Sequence, residues 1–118
     1  MTASFVTRGP ARRVVRRPGL EVVLAAERFG GLAGLVVVEA AVGGGQAPFS
    51  MALYLNGEPV EDRPGGAIRY DERAGRLCGV LGTGLGAGTL ALTARVVDAH
   101  GRWGAASLVL PSGPVSVR

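Results

Sequence analysis

The segment TLALTARVV, residues 89–97, constrains the fold of this chain more than any other. Leu90, Leu92, Ala94 and Val96 share one parity, and Thr93 and Arg95 fall on the other. Apolar residues at every second position put one face of an extended strand into a core and the other into solvent. The same period runs through LEVVLAAE, with Leu20, Val22, Leu24 and Ala26 inward and Glu21 and Glu27 outward. It returns in FSMALYL, where Phe49, Met51, Leu53 and Leu55 oppose Ser50, Ala52 and Tyr54.

Turn signals separate these runs. Asn56-Gly57 permits positive φ at both central positions of a hairpin, so the chain is expected to return through EPVED. Pro18-Gly19, FGGLAG, GGGQAP, DERAG and AHGR mark further turns. LVVVEAAV, residues 35–42, has a helical rival in its Ala and Glu content. Three consecutive valines and flanking glycines favour a strand, expected to lie more deeply buried than the first. Short strands are expected at Ala67–Tyr70 and Arg76–Leu81, and WGAASLVL is the natural antiparallel partner of residues 90–97. Seven to eight strands with turns at roughly 8–12 residue intervals have the rhythm of an all-β sandwich. A chain of 118 residues builds one such core. The expected division is a basic N-terminal arm at 1–18, the sandwich at 19–111 and a short extended tail at 112–118.

The arm follows from charge. Residues 1–20 carry Arg8, Arg12, Arg13, Arg16 and Arg17 and no acid, whereas the rest carries eight arginines against nine acids. All basic residues are arginine. A basic arm on a nearly neutral body calls for an acidic partner, a protein surface or nucleic acid. The lack of interleaved aromatics, of lysine and of a helix to enter a groove speaks against nucleic acid. With Val14 and Val15 between its arginines, the same stretch also fits an edge strand with charged outer positions. Its first residues lack the apolar segment of a secretory signal, and LAGLVVVEAAV is too short to span a membrane. The chain ends soon after its last strand, as expected of a complete small protein made in the cytoplasm.

GVLGTGLGAGTLALTARVV, residues 79–97, imitates a nucleotide cradle, with Gly82, Gly84, Gly86 and Gly88 alternating. A dinucleotide-binding turn needs a helix after the glycines, so that N-terminal amides meet the phosphates. The alternating run after Gly88 supplies a strand instead, and no lysine exists for a P-loop. The loop is expected to join strands.

The order of elements in residues 63–110 resembles the second half of the bacterial putative-Ig and cadherin-like domains. It runs through Pro64 and Gly66, an acidic turn from Asp71 to Gly75, the apolar-x-Gly pair Leu77 and Gly79, a glycine-preceded strand from Gly88 to Val97, the Asp98-x-x-Gly101 turn, and a last strand at Ala105–Leu110. The proline usual after the apolar-x-Gly is absent. The resemblance implies an Ig-like antiparallel sandwich serving as a spacer, adhesion or assembly module, with no catalytic residues to carry over.

Chemistry-bearing residues are sparse. His100, Asp98 and Cys78 could be imagined as a nucleophilic triad, but an Asp98-capped turn explains the first two, and Cys78, the only cysteine, is expected as a small core residue. Calcium, common in cadherin-like domains, needs clustered oxygen ligands, and VEDRP, YDER and VVDAHG offer one or two acids each. No cofactor and no small-molecule substrate are expected. Trp103, the only tryptophan, is a partner-contact candidate beside the five arginines, with Tyr54 and Tyr70 weaker ones.

These features lead to a non-enzymatic structural or assembly protein. The first expectation is an accessory component of a tailed bacteriophage virion (capsid decoration, head or tail protein), assembled in the host cytoplasm. It would attach through its arm to protein subunits of a larger assembly, or to copies of itself. The alternative is a carbohydrate- or cell-surface-binding Ig-like module of a secreted protein, which would present an aromatic platform.

Overall fold

Alternation along the sequence becomes alternation in burial. The computed structural model describes residues 11–28, 35–60, 67–81 and 88–111. They form nine strands: β1 (Ala11–Arg17), β2 (Leu20–Arg28), β3 (Val36–Gly44), β4 (Ser50–Leu55), β5 (Glu58–Pro59), β6 (Ala67–Asp71), β7 (Arg76–Leu81), β8 (Leu90–Val97) and β9 (Trp103–Leu110). They pair as two antiparallel sheets, one ordered β1-β2-β3-β7-β6 and the other β5-β4-β8-β9. The protein is an all-β sandwich. No helix long and apolar enough to cross a membrane occurs among the described residues.

The core lies between the sheets. Leu20, Val22, Leu24 and Ala26 of β2 and Leu90, Leu92, Ala94 and Val96 of β8 are all buried, as their parity requires. Opposite and beside them lie Leu53 and Leu55 of β4, Leu77 and Leu81 of β7, and Ala106, Leu108 and Leu110 of β9. Each aliphatic side chain withdrawn from water contributes about 1.5–3 kcal/mol. β3 departs from expectation. Val36, Val38 and Ala40 are buried, but Val37 is 41% exposed and Glu39 lies on the surface. The strand is central in its sheet, yet only one side of that sheet is covered, so the valine run still alternates.

Turn chemistry joins the elements as the residue types dictate. Asn56 and Gly57 both have positive φ, 51° and 87°, the mirror-image turn that matches strand twist. Asn56 also extends the β4–β8 ladder: its N–H donates to the Ala91 carbonyl at 2.8 Å, and its Oδ1 accepts the Ala91 N–H at 2.9 Å. The return strand β5 stops after two residues, at Pro59, which has no N–H to prolong a ladder. Asp71 Oδ1 accepts the amides of Arg73 and Ala74 in the β6–β7 turn. Gly79 serves packing: a Cβ there would sit 2.0 Å from the Ala67 carbonyl oxygen, so β6 could not pair with β7.

The stretch read as an arm contributes a strand from Ala11 onward. β1 pairs with β2 from Ala11↔Ala26 to Arg17↔Leu20 through the Pro18-Gly19 turn, and is the outer strand of the five-stranded sheet. This half of the arm is therefore an edge strand. Residues 1–10 and the tail at 112–118 lie outside the described residues, as do 82–87 of the glycine-rich loop. That loop leads into β8, a strand in the second sheet, where a dinucleotide-binding turn would need a helix.

Candidate functional site

Of the arginines and the tryptophan singled out for partner contact, Arg8 lies outside the described residues, and Arg12, Arg13, Arg16, Arg17 and Trp103 lie on β1 and β9. β1 is the edge of one sheet and β9 the edge of the other, and the two edges are neighbours. The register of β1 sorts its arginines by face. Arg13 and Arg17 pair with Leu24 and Leu20 and so share their core-facing side, whereas Arg12 and Arg16 pair with Ala25 and Glu21 and face outward. The non-alternating sequence ARRVVRR thus gives each face an arginine, a valine and an arginine. Only an edge strand, whose core side runs past the facing sheet, tolerates that distribution.

Arg17 uses this position to reach the other sheet. Its guanidinium carbon lies 4.5 Å from the centroid of the Trp103 ring, and its Cδ approaches the backbone of Gly104 so closely that a Cβ there would be 3.6 Å away. Trp103 opens β9 on the outer face of the four-stranded sheet and remains 48% exposed. A second guanidinium, that of Arg95, lies 5.9 Å from the same centroid. Cations over an indole face are attracted by its quadrupole, by about 0.5–1 kcal/mol at exposed sites. Arg17 and Trp103 stand out separately in the sequence, but their contact and the part of Arg95 do not. The signal for Arg95 lay in the β8–β9 hairpin, whose register sets Arg95 opposite Ala105 and Val97 opposite Trp103, placing the arginine diagonally from the ring. Arg16 is engaged elsewhere: its Nε donates to Glu21 Oε2 at 2.6 Å.

Asp98 fixes where β9 begins. Its side chain is fully buried and accepts four hydrogen bonds: from the amides of Gln46 (3.1 Å), His100 (3.0 Å) and Arg102 (2.8 Å), and from Arg102 Nε (3.0 Å). Burial acts to raise its pKa, but the bonds from Arg102, Gln46 and His100 together outweigh it, and the carboxyl sits below the ordinary carboxylate value. The bond between Asp98 and His100 uses the histidine's amide, as an Asx-type turn requires.

Cys78 corrects an expectation. It is exposed on the outer face of β7, paired with Glu39 on one side and Arg69 on the other. Leu77 and Leu81 fill the core side, so parity forces Cys78 outward. With Glu39, Arg69, Asp71 and Arg76 it lines a shallow depression of mixed charge. His100 belongs to a turn of the opposite sheet. Among the described residues no three of His, Cys, Asp and Glu cluster as metal ligands; Glu61 and Asp62 lie outside them. The aromatic candidates do not share one platform. Tyr54 and Trp103 are on the outer face of the four-stranded sheet, and Tyr70 is on β6, the far edge of the other. No family model, curated protein or solved structure matches the chain.

Proposed function

We propose that this protein is a non-enzymatic structural or assembly module that attaches to protein subunits through the edge formed by β1 and β9. The observation that carries this reading is the contact between Arg17 and Trp103. It unites the basic stretch and the one tryptophan on an exposed margin, and Trp and Arg are the residues that most often dominate interfaces. A further support is the strand order. From β2 onward, β2-β3-β7-β6 facing β5-β4-β8-β9 follows the A-B-E-D and C′-C-F-G arrangement of immunoglobulin-like sandwiches, scaffolds that carry many binding functions.

The setting we favour is the particle of a tailed bacteriophage, with the module as an accessory capsid, head or tail component. The family resemblance supports that setting by analogy. Mass spectrometry of density-gradient fractions from the native source tests it. Stoichiometric banding with a large particle is the expected result. Recovery only in soluble or cell-surface fractions overturns the virion setting. Within a particle, a variant carrying Arg13→Glu and Arg17→Glu should fold and fail to attach; attachment at wild-type level removes the β1/β9 edge from the reading.

A further inference from the structure

The hydrogen-bond phase of β9 shows which backbone groups it leaves open. The Asp98 N–H donates to the Arg102 carbonyl at 2.8 Å, and this pair continues the register of Val97↔Trp103. Bonded and unbonded pairs alternate along an antiparallel ladder. Gly104, Ala106, Leu108 and Leu110 therefore bond to β8, while Trp103, Ala105, Ser107 and Val109 direct their N–H and C=O groups away from the sheet. The Asn56–Ala91 bonds fit the same phase, since they assign the other parity of β8 to β4. No described residue pairs with the open side of β9.

Edge strands are commonly blunted by charge, proline or a bulge. β9, WGAASLVL, has no charge and no proline, and its pairing with β8 runs unbroken over eight residues. Its surroundings are positive. β1, β8 and β9 together carry Arg12, Arg13, Arg16, Arg17 and Arg95 and no acid. Glu21 is engaged by Arg16 and Asp98 by Arg102.

We propose that β9 accepts an extended acidic segment of a protein partner as an added strand, whose carboxylates meet Arg13 and Arg17 while its backbone pairs with Trp103, Ala105, Ser107 and Val109. Strand addition takes affinity from main-chain hydrogen bonds and specificity from alternate side chains. The incoming strand presents acids on its core-facing parity, toward Arg13 and toward Arg17 once its guanidinium leaves the Trp103 ring. On its outer parity it presents β-branched residues, beside Trp103 and Val109. Charge decides against a second copy of this chain, which would bring five more arginines to the same edge. The inference rests on the attachment reading and names the partner chemistry of that edge.

The probe is a fluorescein-labelled peptide of alternating glutamate and valine, as long as β9, titrated into the full chain by anisotropy. Amide NMR and hydrogen exchange are followed in parallel. Expected results are saturable binding, new protection at the Trp103, Ala105, Ser107 and Val109 amides, and roughly tenfold or greater weakening in the Arg13→Glu/Arg17→Glu variant. The same peptide N-methylated at alternate residues, on the side that faces β9, should not bind. Ala105→Pro, which removes an outward N–H and leaves the β8 ladder intact, should weaken binding without unfolding the hairpin. Equal binding of a lysine–valine peptide, or of both N-methylated registers, overturns strand addition. So do slow exchange of the four amides in the free protein, concentration-dependent dimerisation through β9, and equal displacement of the peptide by oligothymidylate. If the double charge reversal abolishes particle attachment while the peptide fails to bind, strand addition falls and the attachment reading stands. If the peptide binds as described and no particle carries the protein, only the virion setting falls.

Discussion

β1 and β9 lie side by side at one margin of the sandwich and solve the problem of an exposed edge in opposite ways. Four of the seven residues of β1 are arginine, spread over both faces, so the strand cannot pair with a stray chain without confronting charge. β9 has no charge of its own, and three consecutive inward side chains, Ala106, Leu108 and Leu110, are buried. The contrast separates two duties. β9 is held by packing and presents a continuous backbone. β1, paired with β2 along its whole length, has no fully buried side chain and, in the proposed mode of docking, supplies the charge that an approaching chain meets.

The largest effect should come from the packing side of the comparison. Leu108→Ala, which leaves a cavity between the sheets, should cost about 2–4 kcal/mol. Val15→Ala on β1, where the valine is half-buried, should cost about 1 kcal/mol. Urea unfolding of both variants compares them directly, and equal losses would show that β1 is as integral to the core as β9.

The next effect concerns where β9 starts. Asp98 is held below the ordinary carboxylate value in the folded chain and returns to about 3.9 on unfolding. The unfolded state therefore binds the proton more readily, and stability rises with pH through this window. The Asp98 contribution should be complete above about pH 4 to 5 and lost as pH falls through the lower folded value. Unfolding midpoints measured down the acid range should decline. Asp98→Asn should lower the midpoint at neutral pH and flatten that decline; an unchanged acid limb would assign it to other carboxyls. Hydrogen exchange in the same variant should rise first at position 98 and Gly104, whose amides are bonded across the ladder next to the turn.

These two sites also show how far the sequence can be read. The core parity of β2, β4 and β8 was legible because a strand with one covered face needs a period of two, and Leu20 to Ala26 and Leu90 to Val96 keep it. The turn at Asp98-x-x-Gly101 was legible because its residue types have one common use. Cys78 was misplaced because RLCGVL is apolar at both parities, and only its pairing with Glu39 and Arg69 shows which side faces water. The same ambiguity hid the exposure of Val37. The Arg17–Trp103 contact was invisible for a different reason: it joins residues from the two ends of the chain across two sheets, and no local period encodes that approach.

Trp103 offers a direct reporter of the contact, being the only tryptophan in the chain. Arg17→Ala should shift its emission, and a double-mutant cycle of Arg17→Ala with Trp103→Leu should return a coupling of about 0.5 kcal/mol. Arg95→Ala, from the more distant guanidinium, should give less. A coupling indistinguishable from zero would leave Arg17 free to meet a partner's carboxylate without first leaving the ring.

The smallest effect belongs to Arg16 and Glu21, and it is the sharpest test of why β1 is basic. Their side chains are 79% and 35% exposed, and an ion pair at such a site contributes about 0.2–1 kcal/mol at most, screened by salt. Arg16→Ala should therefore change stability by no more than about 0.5 kcal/mol, while freeing Glu21 beside the positive margin. If the arginines of β1 exist to hold the strand down, that loss should exceed the one from Val15→Ala. If they exist to select what docks, Arg16→Ala should leave folding almost untouched and weaken capture of the acidic peptide less than Arg17→Ala does. The reason is facial: Arg16 points away from β9, and Arg17 points across it.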